Sequence, residues 1–188
     1  MKKRCAWVPD DTLYKDYHDT EWGRPVHDDR SLFENLILDG MQAGLSWAII
    51  LKKRQNFRAA FDNFDPEKIA SYDKMKIESL LHDKGIIRNR LKIESAVKNA
   101  RAYLELLKEY ESFDAYVWSF VTRSPIQNAW KTIQEIPAKT KESEALSRSL
   151  LQSGFRFVGP TICYAFMQAV GMVNDHTVEC FRYKELGG

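Results

Sequence analysis

Apolar positions repeat at intervals of three and four residues over most of this chain, the spacing of one face of an α-helix. From Asp29 onward, Leu32, Phe33, Leu36 and Ile37 mark such a face. Ser46 stands in a capping position before a helix predicted to begin at Trp47, to bury Ile49, Ile50 and Phe57, and to present Lys52, Lys53 and Arg54 to solvent. Asp65 followed by Pro66 predicts a short helix with a capping carboxylate and a proline in its first turn. A further helix is expected to end near His82, with Gly85 supplying a left-handed terminal turn. The most regular stripe is Ile93, Ala96, Val97, Ala100, Tyr103, Leu104 and Leu107. Helical patterns resume at 113–121 and at about 141–152, and the intervening 122–140, with Pro125 and Pro137, reads as a loop. Residues 1–27 carry Trp7, Tyr14, Tyr17 and Trp22 without a clear period and read as irregular. Strand signals are sparse, so the predicted class is mostly α.

Composition adds bounds. The 188 residues suffice for one substantial core, alone or with a small satellite. Hydrophobic residues at 44% and charged residues at 29% are ordinary for a globular domain, which excludes a disordered or fibrous chain. The start, MKKRCAWVPDDTLYKDY, meets polar residues before any apolar run develops and does not read as a secretory leader. The run FVGPTICYAFMQAVGMV holds too many small and polar residues for a membrane span, and a buried helix accounts for it. A cytoplasmic protein is expected, and nothing demands more than a monomer. A formal charge of +2 is far too small for a purely electrostatic nucleic-acid binder. The positive groups at 52–54 and 88–92 are compact, so Lys52, Lys53, Arg88, Arg90 and Lys92 are candidate phosphate contacts, though solvated helix faces look the same.

Three cysteines argue against a disulfide framework. Cys163 lies in an apolar run and reads as inert core, whereas Cys5 and Cys180 stand at opposite ends of the chain. Cys5 and His18 have 12 residues between them, and His176 and Cys180 have three. The second pair is predicted to share one helical face. Two thiolates and two imidazoles complete a tetrahedral zinc shell with no open position, a structural site stapling the two termini together. The same four residues also arise at these spacings without any metal. His27 and His82 lack such partners and read as surface or cap residues. The segment SGFRFVGPTICYAF predicts a tight turn at FVGP and a helix from Pro160 or Thr161, whose free amides suit a phosphate. A glycine–proline turn between two packed helices reads identically.

Several strings fall in one order along the chain: RCAW at 4–7, YHDTEWG at 17–23, QAGLSW at 42–47, LKKR at 51–54, GIIRNR at 85–90 and FVGPTICYAFMQAVGMVNDH at 157–176. Together they resemble the bacterial 3-methyladenine DNA glycosylase I family, over nearly the whole chain. The resemblance implies a helix-hairpin-helix glycosylase fold with a small zinc-binding region formed by both termini, divided as 1–27, a helical core over 28–172, and 173–188. It implies Cys5, His18, His176 and Cys180 as ligands of one structural Zn2+. It also implies that the hairpin Phe157, Val158, Gly159 and Pro160, with Thr161 after it, lies on the backbone of double-stranded DNA. Tyr14, Tyr17, Trp22 and Trp47 match aromatic positions around a pocket for a flipped base. Asp39 falls where the family commonly carries a glutamate that recognises that base, one methylene longer. Where the wider superfamily places a catalytic aspartate in a segment like VDTH, this chain reads VNDH, so Asn174 takes that place and Asp175 is expected to point elsewhere. The implied activity is hydrolysis of the N-glycosidic bond of N3-methyladenine by base flipping, leaving an abasic site. A glycosylase of shifted methylpurine preference, and a non-catalytic zinc-containing lesion binder, are the two alternatives.

Overall fold

The structure, a computed structural model, describes residues 2–188. The described residues form ten α-helices: α1 Thr12–Thr20, α2 Asp29–Gln42, α3 Trp47–Ala60, α4 Pro66–Ala70, α5 Lys74–His82, α6 Arg90–Leu106, α7 Phe113–Trp118, α8 Lys141–Gln152, α9 Pro160–Ala169 and α10 Phe181–Glu185. Two two-residue strands, β1 at Ile126–Gln127 and β2 at Val173–Asn174, pair in parallel, with Ile126 opposite Val173. Among the described residues no helix is long and apolar enough to cross a membrane.

The core is organised around α2, which packs against α3, α6, α7 and α9. Its Leu32, Phe33 and Leu36 are buried, each contributing roughly 2 kcal/mol of apolar burial. The stripe on α6 behaves as its spacing predicts: Ile93, Ala96, Val97, Ala100 and Tyr103 are buried, with Leu104 and Leu107 half-buried at its margin. Side-chain caps set most helix starts. Asp28 accepts from the Ser31 amide at 2.8 Å, Asp65 from Glu67 at 3.1 Å and Asn89 from Lys92 at 3.1 Å. Ser46 does precede α3, but its side chain makes no capping bond.

Four expectations are corrected. Residues 1–27 are not wholly irregular, because α1 forms there behind Asp11, whose carboxylate accepts from the Tyr14 amide at 3.0 Å. Ile49 is 37% exposed, since at its position α3 faces outward, while Ile50 and Phe57 are buried as expected. Gly85 is not left-handed. A side chain there would meet Asp83 Oδ1 at 2.9 Å and Asn56 at 3.2 Å, so the requirement is close approach. His176 and Cys180 share no helical face. The chain leaves β2, turns through Thr177, whose carbonyl accepts from the Cys180 amide at 2.7 Å, and enters α10 only after Cys180.

Candidate active site

Asp39 lies in the last turns of α2, and its neighbour Gly40 lets the 157–159 turn approach, since a side chain there would stand 3.4 Å from Phe157. Asp39 is only 3% exposed, and its Oδ2 has no hydrogen-bond partner. Burial alone pushes its carboxyl well above the usual carboxylate range. Trp47 opens α3, and its indole Nε1 also lacks a partner. Tyr17 on α1 is buried, with its ring 5.7 Å from that of Trp47. These groups line one cavity of about 390 Å³, the size of a small-molecule site. Tyr14, Trp22, Thr161 and Trp7 also face it. Tyr164 and Gln168 of α9 line it too, with Ile136 and Pro137 of the long loop.

Next to this cavity, Cys5, His18, His176 and Cys180 are all buried, with their ligand atoms within 4.8 Å of one another. Cys5 Sγ is 3.5 Å from His176 Nδ1, Cys180 Sγ is 3.5 Å from the same atom, and Cys180 Sγ is 3.4 Å from His18 Nε2. Metal–sulfur and metal–nitrogen bonds of about 2.3 and 2.0 Å give a sulfur–nitrogen edge of about 3.5 Å in a tetrahedron. The outer ring nitrogens are also occupied. His18 Nδ1 donates to Asp19 at 2.8 Å, and Arg4 grips the same carboxylate through two nitrogens. His176 Nε2 donates to the Trp22 carbonyl at 3.1 Å. Both lone pairs are thereby aimed at the centre of the cluster, as metal-binding imidazoles require. The hydrogen bond from Cys5, with His176 and His18 adding, holds the Cys180 thiol far below its ordinary value. The same bond and burial drive the Cys5 thiol up. The cluster fits a tetrahedral metal ion.

The hairpin runs from α8 to α9. Phe157 takes a left-handed backbone, φ 55°, and Val158 is buried with its carbonyl accepting from Ser147 at 2.7 Å and Cys163 at 3.2 Å. Burial pushes the Cys163 thiol up to about 12, which suits its inert core role. Gly159 precedes Pro160 at the start of α9, and a side chain at Gly159 would meet nothing within 4 Å.

Other predicted residues are placed elsewhere. Lys92 is buried and donates to the carbonyls of Met41 and Ala43 at 2.8 and 2.6 Å, so it closes the end of α2 and is unavailable to phosphate. Arg90 pairs with Glu78 at 2.7 Å, and Lys53 donates to the Lys84 carbonyl at 2.8 Å, while Arg88 and Lys52 are exposed. His27 pairs with Asp114, and His82 bonds the Glu78 carbonyl, both at the surface. Asn174 is buried outside the cavity, donating to Gln127 at 2.7 Å and to the Tyr183 carbonyl at 3.1 Å.

The model of the methyladenine glycosylase family matches residues 7–183. The chain belongs to that family. It is 52% identical, over 96% of its length and 97% of the relative's, to DNA-3-methyladenine glycosylase 1 of Escherichia coli K12. A crystal structure of 3-methyladenine DNA glycosylase I superposes with a TM-score of 0.93 at 51% identity, covering 95% of this chain and 98% of the other. A second family structure, of a variant in complex with 3-methyladenine, superposes with a TM-score of 0.92 at 34% identity, covering 95% and 96%. The family's helix-hairpin-helix fold is therefore the fold of this chain, with α8, the turn and α9 as its hairpin.

Sequence reasoning left Trp7, Tyr164 and Gln168 out of the cavity. Trp7 had a usable signal, standing two residues from Cys5, and its ring packs on Trp22 at 4.9 Å and His18 at 5.4 Å. Tyr164 and Gln168 had none, because in an apolar run they read as interior helix.

Proposed function

We propose that this chain hydrolyses the N-glycosidic bond of N3-methyladenine in alkylated duplex DNA, leaving an abasic site as the first step of base excision repair. The observation that carries the reading is the cavity itself: aromatic rings of Trp47, Tyr17 and Tyr14 surround a buried carboxyl with an unpartnered oxygen. Plain duplex binding needs no such enclosure, whereas a base turned out of the stack does. Family membership and a relative crystallised with 3-methyladenine support it.

The lesion carries positive charge while bonded to the sugar and leaves as a neutral base, so its bond is weak before the enzyme acts. Trp47 and Tyr17 favour the cationic ring by stacking and cation–π attraction. Asp39 offers acceptor oxygens to the base's amino group, and the positive ring favours the ionised carboxylate that burial alone opposes. Water then attacks C1′. Asn174 has no carboxylate and spends its amide on Gln127 and Tyr183, so it supplies no general base. The hairpin from Phe157 to Thr161 holds the DNA backbone, with amides at the start of α9 toward a phosphate. The cluster of Cys5, His18, His176 and Cys180 holds one structural Zn2+, four protein ligands leaving no place for water. The enzyme works as a cytoplasmic monomer.

Asp39, one methylene shorter than the family's common glutamate, favours a second reading in which larger methylpurines are also accepted. Duplexes carrying 3-methyladenine, 3-methylguanine or 7-methylguanine separate the two. Free 3-methyladenine should appear first and fastest, without magnesium, while the strands stay intact until alkali cuts them. Comparable release of all three bases would favour the broader enzyme. A folded, zinc-loaded protein that binds the duplex and releases none would be a lesion binder.

A further inference from the structure

Asp175 is fully buried, and none of its hydrogen-bond partners among the described residues is a cation. It accepts four hydrogen bonds from neutral donors instead. Oδ1 receives Asn128 Nδ2 at 2.7 Å and Trp130 Nε1 at 2.8 Å. Oδ2 receives the Tyr164 hydroxyl at 2.6 Å and Gln168 Nε2 at 2.7 Å. A buried carboxylate left unpaired is costly, and four donors are what compensate it here.

Two of the donors line the base cavity, and the other two precede residues that do. Tyr164 and Gln168 are one turn apart on α9 and line the cavity directly. Asn128 and Trp130 lie in the loop segment whose later residues Ile133, Ile136, Pro137 and Ala138 also line the cavity. Asp175 itself is not in the lining, so it acts from behind the wall. Its chemistry also settles an orientation. A carboxylate only accepts, so the Gln168 amide turns its nitrogen to Asp175, and its carbonyl oxygen, on a residue that lines the cavity, is left without a protein partner.

We propose that Asp175 is a positioning residue for base release, holding Gln168 so that its carbonyl oxygen serves as a second acceptor for the bound cationic purine or the attacking water, and holding Tyr164 beside it. The role rests on the glycosylase reading. It also gives the VNDH segment a function in chemistry that Asn174 does not provide: the carboxylate acts one residue later, through two intermediaries.

The test uses the zinc-loaded full chain and single-turnover release from a 3-methyladenine duplex, with zinc content, melting temperature and DNA affinity measured on the same preparations. Asp175→Asn and Gln168→Met should each slow release at least tenfold, with DNA affinity within threefold of wild type and zinc content unchanged. Tyr164→Phe should slow it less. Because Asp175 acts through Gln168, the double variant should be no slower than the slower single variant. A folded, zinc-loaded Asp175→Asn at the wild-type rate would overturn the proposal, as would a double variant showing the product of the two losses. Should Asp175→Asn fail to fold, Gln168→Met and Tyr164→Phe decide, and wild-type rates in both overturn it. Failure of the wild-type chain to release the base would sink the glycosylase reading itself, a result distinct from variants that match an active wild type.

Discussion

Asp39 is held in an environment that opposes its charge, and that has a consequence for stability separable from catalysis. Its folded-state pKa lies well above the unfolded value. Between the two values the folded chain binds more protons than the unfolded one, so stability falls as pH rises through that window. Below the unfolded pKa the penalty is absent. Asp39→Asn removes the titrating group, so the variant should gain on wild type as pH rises above the ordinary carboxylate range, the melting-temperature difference widening until pH passes the folded-state pKa. A difference independent of pH would show that Asp39 is not buried unpaired. At this scale the chain was largely readable for chemistry, since Cys5, His18, Asp39 and Trp47 are residue types whose presence needs explaining. It was not readable for Asp175 and Lys92. An acid beside a ligating histidine and a lysine in a basic run look solvated, and only the fold turns both inward onto partners.

Elements explain which local patterns were legible. The faces of α2 and α6 are periodic because they pack into one apolar core, and period follows burial. Helix α1 was missed because Tyr17 and His18 face the cavity and the metal cluster, where aromatic and ligating side chains replace the aliphatic stripe. The turn between His176 and Cys180 mimicked a helical spacing because four residues of turn also bring two side chains together. Two glycines make contrasting predictions. Gly159 has an ordinary φ of −62° and open space around it, so Gly159→Ala should leave stability within about 0.5 kcal/mol of wild type. On the proposed hairpin contact with the DNA backbone, its methyl should also weaken duplex binding. Gly171 has φ 72°, and a side chain there would lie 2.3 Å from the Arg24 backbone. Gly171→Ala should destabilise by on the order of 3 kcal/mol in denaturant unfolding, with DNA affinity per folded molecule intact. Unchanged duplex affinity in Gly159→Ala would remove the hairpin from the DNA interface.

For the molecule as a whole, the Cys5, His18, His176 and Cys180 cluster brings the N-terminal segment to the chain's last turns, where the Phe181 amide also donates to the Lys3 carbonyl at 2.9 Å. Trp22 links the cluster to the cavity, offering its carbonyl to His176 and its ring to the lining. Removal of the metal should therefore loosen one wall of the cavity. Cys5→Ala or chelation should lower metal content and melting temperature together, with activity falling in step with the folded fraction. Full zinc occupancy in Cys5→Ala would exclude that ligand. The most direct measurement of the whole account is the single-turnover rate of 3-methyladenine release from duplex DNA by wild type and by Asp39→Asn, at matched folded fraction and saturating protein. A slowing on the order of 100-fold, about 2.7 kcal/mol of transition-state stabilisation, is expected with DNA affinity nearly unchanged. Equal rates would show that the carboxyl facing this cavity has no part in detaching the base.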